Sequence, residues 1–229
     1  MFESKYSKVL TVILVIVIVA ILALLGFLGY DVYSKNKIKK VASNLVDDFE
    51  TSIQNKVDKQ NVVDTNTDTD IPVLNEIPVL EENTVSEENT DTSSSSVTYK
   101  GYTVVGTIEI PAISLKYPVL ERVTGDSIEI AVAVMYGPGL NKVGNTVIAG
   151  HNYRNGSFFG NNDKLKIGDV IYITDSEGTR IKYSIYNIYE TDGNDSDFIN
   201  RDTNGRREIS LSTCTDNSQA RLIIWAVEE

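Results

Sequence analysis

The chain is poor in several of the residues on which protein chemistry most often depends. Its 229 residues hold one cysteine and one histidine. A single cysteine excludes an intramolecular disulfide. A single histidine means that any imidazole chemistry falls on His151. Basic residues are also few: 21 Lys and Arg stand against 32 Asp and Glu, for a formal net charge of −11. Phosphate backbones are bound by clustered Lys and Arg, so no nucleic-acid partner is expected. A lone thiol outside the cell is liable to oxidation, so Cys214 invites attention before any motif is read.

The apolar residues are unevenly spread. From Val9 to Leu28 the sequence VLTVILVIVIVAILALLGFL carries no charge and one Thr. A helical run of about 20 apolar residues matches the roughly 30 Å hydrocarbon core of a bilayer. A cleaved signal peptide has an apolar stretch of about 7–15 residues ending at a small-x-small site, and the run here is longer and shows no clear site. Residues 9–30 are therefore read as an uncleaved signal anchor behind a cytoplasmic tail of residues 1–8. The flanking charges point weakly the other way. Lys5 and Lys8 precede the span while Lys35, Lys37, Lys39 and Lys40 follow it, which by the positive-inside tendency leaves the downstream side in the cytoplasm. The function argued below requires that side to be outside.

After the span, residues 31–59 read as a juxtamembrane helix. Ile38, Val41, Leu45, Phe49, Ile53 and Val57 recur every three or four positions, a pattern suited to a stalk and with too few repeats for an oligomerisation seam. Residues 60–98 are dominated by Asn, Asp, Glu, Ser and Thr and read as a disordered polar linker. The tetrad IPVL occurs there twice, at 71–74 and 77–80. It reads either as a short docking segment or as a chance pair of extended Pro-containing turns.

Residues 99–229 change character again. Short β-type runs are predicted at 102–110, 115–120, 128–135, 145–149, 170–174, 180–189, 208–213 and 222–227. They are bounded by turn signals such as Gly137-Pro138-Gly139 and Asp192-Gly193-Asn194. Eight short strands with one or two helical turns predict a mostly β, closed or nearly closed barrel of about 130 residues, large enough to bury its own core.

His151 ends one predicted strand, Cys214 ends another, and Arg221 opens the last. Strand ends at one rim of a barrel are a usual place for reactive side chains. A thiolate attacks a peptide carbonyl, but a thiol with an ordinary pKa near 8.5 is mostly protonated at neutral pH. An imidazole can take or pair with that proton and return it to a leaving amine. An arginine stays cationic and offers several donors for an oxyanion or a substrate backbone. Each residue also has a plain reading: Cys214 as a small buried hydrophobe, His151 as a turn residue, Arg221 as a solvated strand end.

The local sequences add to this. Ser210-Leu211-Ser212-Thr213-Cys214 followed by Arg221 resembles the sortase signature Thr-Leu-x-Thr-Cys with an Arg on the next strand. Val147-Ile148-Ala149-Gly150-His151-Asn152, continuing through Gly156-Ser157-Phe158-Phe159-Gly160, is similar to the sortase histidine segment. The resemblance runs from about Val104 to Val227. It implies an eight-stranded sortase-type barrel and a cysteine transpeptidase with Cys214 as nucleophile, His151 as acid/base and Arg221 as oxyanion or motif ligand. It further implies membrane anchoring with the catalytic domain outside, a sorting motif near the C-terminus of a secreted protein as substrate, and an amine acceptor from a peptidoglycan precursor or a pilin lysine. Asn152 is a weak candidate for orienting His151 and reads more simply as a solvent-facing turn residue.

Three features depart from the family pattern. Ser210 replaces the usual Thr, only six residues separate Cys214 from Arg221, and the segment from Tyr189 to Glu208 is short and polar for the long helix of class B sortases. Class B-like and class D-like readings both stay open. No cofactor or metal is expected. The acidic stretch Asp192–Asp197 lacks the ligand order of a calcium loop and reads as solvated. No papain-like or caspase-like signature surrounds Cys214. An L,D-transpeptidase would need a second histidine. A non-catalytic membrane-tethered barrel that binds a partner is the alternative from a different class.

Overall fold

The computed structural model describes residues 3–63, 96–153, 155–215 and 219–229. The IPVL repeats lie outside them. Residues 9–30 and the amphipathic stretch after them form one continuous helix, α1 (Glu3–Val63). Its segment Val9–Tyr30 has a mean hydropathy of 3.4 and is exposed along its length, as an apolar span suited to a bilayer would be. The later part of the helix behaves differently. Ala42, Leu45, Val46 and Phe49 are buried and Val41 and Ile53 half-buried, packed on the barrel core. The periodic apolar stripe that reads as part of a juxtamembrane stalk is thus also a docking face. Its spacing keeps Leu45, Phe49 and Ile53 on one side of the helix, and that side needs an apolar neighbour. Val57, the last residue of the predicted stripe, is exposed.

The rest of the described chain is mostly β. The strands are β1 (Thr98–Tyr99), β2 (Tyr102–Ile110), β3 (Leu115–Leu120), β4 (Val132–Tyr136), β5 (Gly144–Ala149), β6 (Val170–Asp175), β7 (Arg180–Asp192), β8 (Arg207–Cys214) and β9 (Ala220–Glu228). Eight of them close a barrel in the order β2-β3-β4-β5-β8-β9-β7-β6, with β6 pairing back onto β2, while β1 is a short addition to the edge of β2. The β3–β4 and β5–β8 pairs are parallel and the others antiparallel. Alternate residues of the strands fill the interior, among them Ile108, Ile148, Ile171, Ile185, Leu211 and Ile224, each at most 1% exposed. The alternation of β-branched residues follows from the two-residue period of a strand.

One predicted strand is corrected. The stretch 128–135 reads as a single strand because Ile128 and Ile130 alternate with polar residues. Instead Thr124 caps a single helical turn, α2 (Gly125–Ile128), whose Thr124 and Ser127 hydroxyls exchange hydrogen bonds with each other's backbone N–H at 3.0 and 2.7 Å. Strand β4 starts only at Val132.

Strand β8 is covered on both faces. Ile209 and Leu211 point into the barrel, while the outer face is roofed by the β7–β8 connection, where Phe198 packs against Val147 and Ile223. That connection is held by a buried charge cluster. Glu208, 1% exposed, accepts from Arg201 at 2.7 Å, from Arg206 at 2.8 Å and from the Tyr186 hydroxyl at 2.7 Å. Arg201 also stacks over Trp225, 4.1 Å from the ring centre, and reaches Asn145 Oδ1 at 3.1 Å. Ser210, at the position where a Thr is usual, fits here: its hydroxyl donates to Asn145 Oδ1 at 2.8 Å and accepts from Arg201 at 3.3 Å. Burial raises the Tyr186 hydroxyl pKa, and its bond to the Glu208 carboxylate adds to the effect.

Candidate active site

Parallel pairing of β5 with β8 brings the two predicted reactive residues to the same end of the barrel. Ala149 is the register partner of Ser212, so the chain leaves β5 through Gly150 and His151 beside the last residues of β8, Thr213 and Cys214. Three hydrogen bonds tie these ends together. Gly150 N–H donates to Ser212 O at 3.2 Å, Thr213 Oγ1 donates to Gly150 O at 2.7 Å, and Asn152 Nδ2 donates to Cys214 O at 2.9 Å. Asn152 also bridges to Phe158, and Phe159 N–H donates to His151 O at 3.0 Å, which folds the histidine loop back on itself. Asn152 is thus half-buried and structural to the rim, which corrects its reading as a solvent-facing turn residue.

Two glycines of the histidine segment are required by space. A Cβ on Gly150 would lie 2.8 Å from side-chain atoms of Phe159 and Val132, and one on Gly160 only 2.2 Å from Tyr153 O. The chain therefore passes close over the barrel mouth immediately before His151 and again after Phe159.

Cys214 and Arg221 are register partners across β8 and β9. They lie on the outer face, the side on which Ser212 pairs with Ile223, whereas Leu211 and Ile224 face the core. Arg221 Nε donates to Gly193 O at 3.0 Å, and Gly193 N–H donates to Gln219 O at 3.0 Å, so the guanidinium is anchored to the start of the β7–β8 connection. Cys214 is half-buried and borders two grooves. One, of about 390 Å³, runs past Asn152, Phe159, Glu190, Thr215 and Leu222. The other, of about 460 Å³, is lined by Asp192, Asn194, Ala220 and Arg221.

His151 stands outside both grooves, at the rim. Its Nε2 lies 3.0 Å from Glu129 Oε1, without hydrogen-bond alignment. The ring packs on Tyr153, 5.1 Å between centroids, and the Tyr153 hydroxyl donates to Glu129 Oε2 at 2.5 Å. Burial pushes the Tyr153 pKa up to about 12, with the Glu129 carboxylate contributing. Glu129 and Tyr153 are absent from the sequence reading. Glu129 falls in the segment read as strand, and the signal for its placement is Thr124 three residues ahead of Ser127, which starts the turn that ends at Glu129.

Around the acidic stretch, Thr191 donates to Asp195 Oδ2 and the Asp197 N–H donates to Asp195 Oδ1 at 2.8 Å, and these bonds, the Thr191 one first, lower the Asp195 pKa. No group of three or more His, Cys, Asp or Glu residues suited to hold a metal occurs among the described residues. The constellation offers a thiol, a cationic donor on the same face, an imidazole at the adjacent strand end and open grooves on both sides. That is the equipment of acyl transfer through a thioester.

Comparison with known proteins finds matches over the barrel that carries these residues. A family model described as the Sortase domain matches residues 108–229. Sortase A of Bacillus anthracis is 32% identical over 124 residues, covering 52% of this chain and 58% of that protein. The chain thus matches less than two thirds of that relative's length. Among solved structures, a lid mutant of sortase A from Corynebacterium diphtheriae superposes with a TM-score of 0.51 at 28% identity, over 56% of this chain and 71% of that one. A sortase D5 transpeptidase from Clostridium perfringens has a TM-score of 0.57 at 22% identity. It covers 83% of this chain and 99% of that one, a likeness of fold.

Proposed function

This chain belongs to the sortase family, and from that premise we propose that it is a membrane-anchored cysteine transpeptidase. The observation that carries the reading is the cross-strand pairing of Cys214 with Arg221 on an outer face bordered by open grooves, beside the strand end that bears His151.

In this reading the Cys214 thiolate attacks the carbonyl carbon of a peptide bond within a sorting motif near the C-terminus of a secreted protein. The C–N bond breaks, the leaving amine takes a proton from His151, and a thioester remains on Cys214. An incoming amine then attacks the thioester, gives up a proton to His151, and leaves as a new amide while the thiolate is regenerated. The acceptor is a peptidoglycan-precursor amine or a pilin lysine. Arg221, held through Nε, presents its terminal N–H groups to the carbonyl oxygen as negative charge develops there, or to the backbone of the motif. The apolar segment Val9–Tyr30 anchors the protein as a single span, with the barrel on the outer side.

The test uses the full chain in detergent or nanodiscs, incubated with a panel of sorting-motif peptides with and without an amine acceptor. Mass spectrometry is expected to show a peptide thioester on the wild type and none on Cys214→Ala, with the adduct converted to an amide by the amine. A Cys214→Ala variant that keeps full biological function would instead establish the non-catalytic barrel.

A further inference from the structure

Helix α1 belongs to two parts of the molecule at once. It carries the apolar span to Tyr30 and, without a break, the segment that packs on the barrel. Two separate sets of contacts therefore fix the direction in which the barrel points. Near the span, Lys37 and Val41 share a cavity of about 220 Å³ with Tyr99, Lys100, Glu129 and Ile130. Farther along, Lys56 Nζ reaches Ser176 O at 3.5 Å, and Ile53 lies so close to Gly178 that a Cβ there would sit 2.8 Å from it. Between the two, Glu50 pairs with Lys116 at 2.7 Å.

At about 1.5 Å per residue, Lys37 lies about 10 Å and Lys56 about 39 Å beyond Tyr30 along the helix axis. The end of the barrel that holds Glu129, whose carboxylate is 3.0 Å from His151 Nε2, is thus the end nearer the span. The β6–β7 turn at Ser176–Gly178 is the far end. Lys37, Lys39, Lys40 and Lys100 are all exposed, and the first three follow closely on the span, where ammonium groups meet lipid phosphates.

We infer that α1 is a strut that seats the barrel with its Glu129–His151 rim turned toward the phospholipid headgroup layer and the β6–β7 turn turned away. The inference rests on the reading of residues 9–30 as a membrane span. Its consequence is that the rim bearing Glu129 and His151 works close to the bilayer surface rather than at the far end of the barrel.

The experiment places one fluorophore on the full chain in phospholipid nanodiscs that carry an acceptor dye at headgroup level. In a Cys214→Ala background, a single thiol is introduced by Lys100→Cys or by Glu177→Cys. Energy transfer is expected to be stronger from position 100, with the two positions differing in height by about 20–25 Å on the helical rise. Phe49→Asp with Leu45→Asp, which undocks the helix, is expected to erase the difference. Equal heights or the reverse order in the docked protein overturn the inference, as does a difference that survives undocking. Failure of the chain to enter the nanodiscs overturns the membrane reading itself. The readout needs no catalysis, so it stands or falls apart from the transpeptidase assignment.

Discussion

Asn152 donates a 2.9 Å hydrogen bond from its side chain to the backbone carbonyl of Cys214, and so links the loop of the sole histidine to the strand of the sole cysteine. The bond fixes the height of one strand end against the other. Asn152→Ala is expected to cost about 1 kcal/mol in thermal or urea unfolding, the usual worth of such a bond. It is expected to lower kcat/KM by about tenfold or more, because small displacements of reacting groups are costly. An unchanged rate with lowered stability would confine Asn152 to the scaffold.

Arg221→Lys keeps a positive charge and loses the planar fork in which Nε holds Gly193 O and leaves the terminal N–H groups as further donors. Transpeptidation by this variant is expected to fall about 10²-fold, in the range found on removing an oxyanion donor. Peptide kinetics that separate kcat from KM check this: a fall in kcat assigns Arg221 to charge stabilisation, and a rise in KM alone assigns it to holding the motif.

Phe49 is 3% exposed against the barrel. Phe49→Ala is expected to destabilise the protein by about 3–5 kcal/mol if the site does not collapse. A fragment that begins at Val97 lacks the whole docking face, leaves the apolar surface over β3 bare, and is expected to melt lower than the full chain in differential scanning calorimetry.

The Glu208 cluster is a buried charge with several partners. Arg201→Met removes its stacked cation and is expected to cost about 3–5 kcal/mol. The carboxylate at 1% exposure loses the cation on Oε2 and keeps only the neutral Tyr186 hydroxyl there, with Arg206 on Oε1. Adding Glu208→Gln to Arg201→Met is expected to cost less than the two single changes summed, a coupling that a double-mutant cycle in urea measures.

Tyr153, raised to about 12, binds its proton more tightly in the folded than in the unfolded chain. Its contribution to stability is complete below pH 10 and is lost as the pH rises from there through 12. Tyrosinate absorbance, compared with Tyr153→Phe, is expected to show one phenol titrating near 12, and Glu129→Gln is expected to bring it down.

The barrel strands were readable because they are short β-type runs bounded by turn residues such as Gly, Pro and Asn, and β3 matches its predicted span of 115–120. Segment 128–135 was misread because Ile128 and Ile130 carry a strand-like alternation at the end of one capped helical turn. Such a turn is too short for a 3.6-residue period to show. The stripe on α1 was readable as amphipathic, but a stripe does not say what it lies against. That depended on the non-local surface of β3. Cys214 and His151 were conspicuous by rarity, and Arg221 by its place in the local sequence after Cys214. Glu129, Tyr153 and Asn152 are common residue types whose importance comes from contacts across the fold, with Asn152 and Cys214 62 positions apart.

Parallel pairing between β5 and β8 also sets the order of events during folding. Neighbouring hairpins such as β6–β7 close over short loops, whereas β5 must wait for a partner synthesised some sixty residues later. Long loops close late and at greater entropic cost. A chain that has not yet closed its barrel therefore holds the strand ends of Cys214 and His151 apart, and sets them side by side only when β5 and β8 pair. The rim that carries both residues thus comes into being only as the last long-range pairing forms.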